Sequence, residues 1–179
     1  MKTILQAARL LLVLTVLTGI VYPLAVTGIA QLVFPRSAGG SLIYNGETVT
    51  GSELLAQRFE GDRYFWPRPS SGDYATVASG ASNKGPISAD LVKVVGERRE
   101  RFGSDAPGEM LTASASGLDP HISPAAARHQ LARVAAARSL PKERVTALIV
   151  EATEAPQFGF LGEPRVNVFR LNRLLDGPQ

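Results

Sequence analysis

Leu10 to Pro35 reads LLLVLTVLTGIVYPLAVTGIAQLVFP, twenty-six residues without a charge between Arg9 and Arg36. A helix rising 1.5 Å per residue needs roughly 20 apolar residues to cross a hydrocarbon core of about 30 Å, so the segment is long enough to span with some tilt. Thr15, Thr18 and Thr27 are tolerable there because their hydroxyls can return to carbonyls one turn earlier. Pro23 removes one helix hydrogen bond, which a membrane helix absorbs as a kink, and Tyr22 is expected to face a neighbouring helix. A cleaved secretory signal is the competing reading: Lys2 and Arg9 as the basic start, Leu10 to Val21 as the apolar core, Gly28-Ile29-Ala30 as the cut. Apolar residues continue through Leu32, Val33 and Phe34, beyond the 7–15 residues of an ordinary signal core, which favours a retained anchor. Both readings leave Lys2 and Arg9 in the cytoplasm and carry the bulk of the chain outside it.

The expected organisation is a cytoplasmic start at 1–9, a transmembrane helix at 10–35 and an extracytoplasmic domain at 36–179. That domain is large enough for one real core. Its seventeen basic residues face all sixteen acidic ones, so the basic balance of the whole chain signals no nucleic-acid partner. Arg98-Arg99-Glu100-Arg101 is a solvated helix face rather than a basic stripe. Cysteine is absent, which removes disulfides and thiolate metal sites together.

Along the domain, Ser41 to Val49 reads as a hairpin turning at Asn45-Gly46, a pair suited to a type I′ turn. Ser52 is placed to cap a short helix over Glu53 to Phe59, with Leu54, Leu55 and Phe59 on its apolar side. YFWPRPS (64–70) is an extended, stiff segment whose prolines hold Arg68 at a set angle. Ser70 to Pro86, containing SGASNKGP, is a flexible loop rich in glycine and small polar residues, able to offer N–H groups to an anion or a partner. Ser88 is expected to cap a helix over Ala89 to Phe102 with an Ile87–Val92 staple, a buried side of Leu91, Val94, Val95 and Phe102, and a stop at Gly103. Met110 to Ala113 reads as a strand.

Ser123 and Pro124 open an Ala-rich helix to Arg138, with Leu131 and Val134 inward. Pro141, at the first helical position, opens another, Lys142 to about Ala152, with Val145, Leu148 and Ile149 inward. Arg165 to Phe169 alternates like a strand, and Leu171 to Leu175 ends the chain as a helical turn or two. The fold class that follows is a single transmembrane helix and an α+β domain with a small sheet.

Catalytic signals are sparse. His121 and His129 have no second ligand at metal spacing. Ser116, Asp119 and His121 sit within one turn, where triad geometry is unreachable, and Asp119 and His121 are expected to pin that turn. Ser82 with Lys84 is the other conceivable hydrolytic pair. The residues by themselves therefore leave a choice between an accessory protein, an exported hydrolase and an exported binding protein.

The order of five motifs carries more. GSELLAQ (51–57), YFWPRPS (64–70), SGASNKGP (79–86), SGLDPHISPAAARHQLARVAAAR (116–138) and LGEPRVNVFRLN (161–172) together closely resemble the C-subunit family of the Kdp potassium-transporting P-type ATPase, along the whole chain. Ala56 stands where that family commonly has glycine. The resemblance implies a non-catalytic accessory subunit beside a channel-like potassium-binding subunit and a P-type ATPase subunit, in the bacterial inner membrane, with its domain over the external face. Gly19, Gly28 and the anchor threonines suit a packed helix interface. It also implies a chaperone-like rise in the ATPase subunit's affinity for ATP, with ATP as a transient ligand and Gln130 as the matching glutamine; no intrinsic cofactor is expected. No Gly-x-x-x-x-Gly-Lys-[Ser/Thr] loop is present to cradle phosphates. Tyr64, Trp66, Arg68, Ser82 and Asn83 are the expected contacts to the channel-like subunit, chosen for the stiff Pro-Arg-Pro stretch and the flexible loop.

Overall fold

The computed structural model describes residues 1–177, and the chain divides into two compact units, Met1–Leu42 and the residues from Ile43 onward. In the first unit, α1 (Lys2–Val16) runs through a π-helical turn, Leu17–Val21, into α2 (Tyr22–Val33). Together they form one helix from Lys2 to Val33, long and apolar enough to cross a membrane. The wide turn lies just before Pro23, whose ring would clash with the carbonyl four residues earlier and which offers no N–H; widening the ladder there accommodates both. Thr18 Oγ1 donates to the Leu14 carbonyl at 2.7 Å, as its position predicts. A short α3 (Pro35–Ala38) follows.

The second unit begins at the hairpin of β1 (Leu42–Asn45) and β2 (Thr48–Ser52). The turn is Gly46-Glu47, one residue later than expected. Only Gly46 has positive φ (+59°), so the pair meets the requirement of a type II′ turn rather than I′. The helix expected over Glu53 to Phe59 does not form. The Ser52 hydroxyl accepts from the Leu54 N–H (3.1 Å), and the Ala56 N–H, which a helix would direct back to Ser52, donates instead to the Leu118 carbonyl (2.9 Å). Ala56 is accordingly buried while Leu54 stays exposed.

After a long irregular stretch comes α4 (Ala89–Phe102), ending at Gly103 with φ +97°. Its expected face is only half-buried, Ser88 stands at the N-cap position without a side-chain cap bond, and the staple is absent: Ile87 and Val92 are both exposed. The strand expected at Met110 to Ala113 is instead α5 (Gly108–Leu111), where Met110 donates back to the Pro107 carbonyl and both Met110 and Leu111 are buried. Met110-Leu-Thr-Ala113 is too short to carry a period, and Pro107 starts a turn there.

The core gathers around α6 (Pro124–Arg138), α7 (Lys142–Ala152) and α8 (Val168–Asp176) over a three-stranded antiparallel sheet of β3 (His121–Ile122), β5 (Arg165–Asn167) and β4 (Thr153–Glu154), in that order. Ser123 caps α6 by accepting from the Ala126 N–H at 3.1 Å, with Pro124 in the first turn. Pro141 stands just outside α7 rather than in its first turn. Ala126, Ala127, Val134, Ala135, Val145 and Ala152 are all 3 % exposed or less, small side chains that let α6 and α7 approach closely. Val145, Leu148 and Ile149 are inward as read, whereas Leu131 is only half-buried. The last strand stops at Asn167 because its side chain turns to cap α8, accepting from the Arg170 N–H (3.0 Å). Val168 and Phe169 therefore belong to the helix.

Candidate functional site: the clamped Tyr64 to Ser70 strap

Residues 62–70 have no regular structure, yet Phe65 is fully buried and Pro67 is buried too. Buried backbone polar groups need partners, and in a strap outside any sheet or helix side chains supply most of them. Asn172 on α8 closes a pair of bonds with Phe65, accepting from its N–H (2.9 Å) and donating to its carbonyl (3.0 Å). Gln130 on α6 does the same for Trp66, at 2.8 and 3.0 Å. Arg133 donates to the carbonyls of Asp62 (2.9 Å) and Tyr64 (3.0 Å), and Arg138 to that of Arg63 (2.6 Å). Five consecutive carbonyls, 62 to 66, are thus held by four side chains of two helices. At the far end the Tyr74 hydroxyl donates to the Arg68 carbonyl (3.0 Å), and the Ser114 N–H to that of Pro69 (2.9 Å).

The Trp66 ring stands in a cationic frame. The Arg133 guanidinium carbon lies 3.5 Å from its centroid and that of Arg101 4.7 Å, with Phe102 edge-on at 5.7 Å. Burial lowers the pKa of Arg133 to about 10, with Asp62 opposing the shift and Arg101 adding to it; the group remains charged at neutral pH. Burial likewise raises the pKa of the Tyr74 hydroxyl, keeping it a donor. A cleft of about 470 Å³ runs beside the ring, bordered by Arg58, Tyr74, Arg98 and Arg101.

Arg68 reaches Asp119 (Nη1 to Oδ2, 3.3 Å), and Asp119 also accepts the His121 N–H at 3.0 Å, so Asp119 does pin its turn. Ser82 and Asn83 are exposed and line a separate cleft of about 710 Å³ with Lys84 and Ser79; Ser70 and Arg98 border both clefts. The strap and the loop are therefore neighbours with distinct openings. Lys84 pairs with Asp90 (3.3 Å). Ser116 Oγ accepts from the Leu118 N–H (3.1 Å) and contacts Ser114 Oγ (3.4 Å), while His121 faces Asp119 and Glu154. Among the described residues no three His, Cys, Asp or Glu side chains are grouped to hold a metal ion.

Gln130 is 3 % exposed, and its amide is committed to Trp66 and to Arg133 Nη2 (2.8 Å). Sequence reasoning did not single out Asn172, Arg133 or Arg138. A signal was present: Gln130, Arg133 and Arg138 share one face of an otherwise Ala-rich helix.

The family described as "KdpC: K+-transporting ATPase, c chain" matches residues 4–177. The chain belongs to the KdpC family. Among its relatives, the potassium-transporting ATPase KdpC subunit of Rhodospirillum rubrum is 51% identical, over 98% of this chain and 96% of that one. The corresponding subunits of Variovorax paradoxus and Polynucleobacter asymbioticus are 48% and 46% identical, covering 98% and 99% of this chain and 97% and 100% of theirs. Membership makes this chain an accessory subunit of the Kdp potassium-transporting ATPase, and the KdpC resemblance read from the five motifs holds.

Proposed function

We propose that the chain stabilises a high-affinity, ATP-driven potassium uptake pump from the external side, without catalysing a reaction itself. Residues 10–35, most of which lie in the Lys2–Val33 helix, are its retained single-span anchor in the bacterial inner membrane, residues 1–9 lie in the cytoplasm, and the domain covers the ion entrance of the channel-like subunit. The flanking Lys2 and Arg9 support that orientation. The observation that carries the reading is the clamped strap: a stretch fixed at every carbonyl from Asp62 to Trp66 is a preformed contact surface, which lowers the entropy lost on docking. Tyr64, Trp66 and Arg68, with Ser82 and Asn83 in the adjoining cleft, are its contacts to the channel-like subunit. The family-implied rise in ATP affinity then travels through the assembly to the ATPase subunit. Gln130 contributes by holding Trp66 in place, and ATP is at most a transient ligand of this chain.

The experiment is potassium-stimulated ATP hydrolysis by the purified pump, carrying either this chain, its Arg68→Ala variant, or a form cut after Arg36. Lower complex yield and weaker apparent potassium affinity are expected for both altered forms. Unchanged yield and potassium affinity in the truncated complex would overturn the proposal. A fall in apparent ATP affinity alone would favour the chaperone-like role over one at the ion entrance.

A further inference from the structure

Between β4 and β5 the chain makes a narrow tongue, Pro156 to Pro164, that neither the core nor the strap uses. Gln157 and Leu161 exchange both backbone hydrogen bonds at 2.9 Å, and inside them the Gly159 N–H donates to the Pro156 carbonyl at 2.9 Å. The tip is therefore conformationally fixed. What it presents is apolar: Phe158 is 78 % exposed, Phe160 76 % and Leu161 48 %. Phe158 also holds φ at +54°, a conformation that is uncommon and unfavourable for a bulky side chain. Two large aromatics lifted into solvent on a braced turn, one on a strained backbone, are costly for a domain standing alone. They have the form of interface anchors: rigid, aromatic and desolvated when bound.

The charges around the tongue indicate its occupant. No Lys or Arg lies between Glu154 and Arg165, and Arg165 is paired with Glu154 at 2.9 Å. Glu163 is exposed at the root of the tongue, without an ion-pair partner among the described residues. A loop that enters a lipid headgroup layer is ordinarily ringed by basic side chains that meet phosphate; here the uncompensated charge is negative. We infer that the Phe158–Leu161 tongue inserts into an apolar pocket with a basic rim on another subunit of the pump. The inference rests on the accessory-subunit reading, and adds to it a second contact, distinct from the strap.

The test uses the full pump. A photoreactive benzophenone side chain placed at position 158 should, on illumination, form an adduct with another subunit. Phe158→Ser/Phe160→Ser should leave the melting temperature of the chain unchanged, since both rings are exposed, while weakening its retention on the tagged complex about tenfold or more. Glu163→Lys, which leaves the apolar tip intact, should weaken retention in the same direction. Adducts with lipid alone, or equal retention of the wild-type and double-serine chains, would overturn the inference while leaving the accessory role standing. Failure of the wild-type chain itself to be retained would overturn both.

Discussion

The side-chain amide of Gln130 replaces a β-partner for Trp66, accepting from its N–H at 2.8 Å and donating to its carbonyl at 3.0 Å. Asn172 repeats the arrangement one residue earlier, on Phe65. Two amides from two helices thus perform for an isolated strap what a neighbouring strand performs in a sheet. A surface stretch rich in proline, which cannot donate to a ladder, is held in one conformation by this means.

Gln130→Ala leaves the N–H and carbonyl of Trp66 without these partners, and an unsatisfied buried group costs about 1–3 kcal/mol. Asn172→Ala should cost more, because Phe65 is wholly buried whereas water can reach parts of Trp66. Thermal unfolding of the full chain in detergent, followed by the fluorescence of its single tryptophan, should rank the melting points wild type, then Gln130→Ala, then Asn172→Ala. The reverse order of the two variants would contradict this account.

Arg133→Lys is not a conservative change here. The planar guanidinium stacks on Trp66 while bridging the carbonyls of Asp62 and Tyr64; an ammonium can do one of these at a time. A loss of about 1–2 kcal/mol is expected from the hydrogen bonds alone, together with a red shift of tryptophan emission as the ring becomes wetter. Emission that stays at the wild-type wavelength would show that the ring does not depend on this guanidinium.

Gly51 lies where a Cβ would come within 2.7 Å of the Phe169 ring and also press on the Gln57 amide. Gln57 can swing aside, but Phe169 is 7 % exposed and held in the first turn of α8. Gly51→Ala should therefore destabilise the domain by about 1–3 kcal/mol through overpacking. Phe169→Leu in the same background should restore part of the loss in a melting curve.

Burial lowers the pKa of His121 below its usual 6.5; the carboxylates of Glu154 and Asp119 oppose the shift, and Arg165 reinforces it. The unfolded chain then binds this proton more readily than the folded one. The resulting stability is present in full above about pH 6.5 and declines as pH falls toward the folded-state pKa. The wild-type melting temperature should drop more steeply between pH 7.5 and 5 than that of His121→Gln. Parallel curves would assign the acid sensitivity to other groups.

Much of the fold was legible because it depends on local rules. The apolar helix follows from the charge-free run 10–35, though it begins earlier, at Lys2; α6 follows from Ser123-Pro124, and α7 from Val145, Leu148 and Ile149 at helical spacing. The misreadings share a cause. At Ser52 a capping residue was present, but Ala56 found a partner sixty-two residues away in Leu118, and at Met110 a short apolar run had no period to decide its form.

For the candidate site, sequence marked the strap through its aromatics and prolines, and it marked Arg68, whose guanidinium does reach Asp119. It did not reveal that Gln130 and Asn172 serve the strap's backbone. An amide on a helix is chemically the same whether it meets solvent, a ligand or a distant carbonyl, and only its neighbours decide which. The sequence by itself determined the apolar helix, the helical core and the family, since these rest on hydrophobic period, end signals and motif order. Only the tertiary structure decided that a strap without secondary structure is rigid and that two phenylalanines of the tongue stand exposed. The first depends on contacts between residues far apart in the chain, which no local pattern encodes, and the second on the rest of the domain leaving the tongue uncovered.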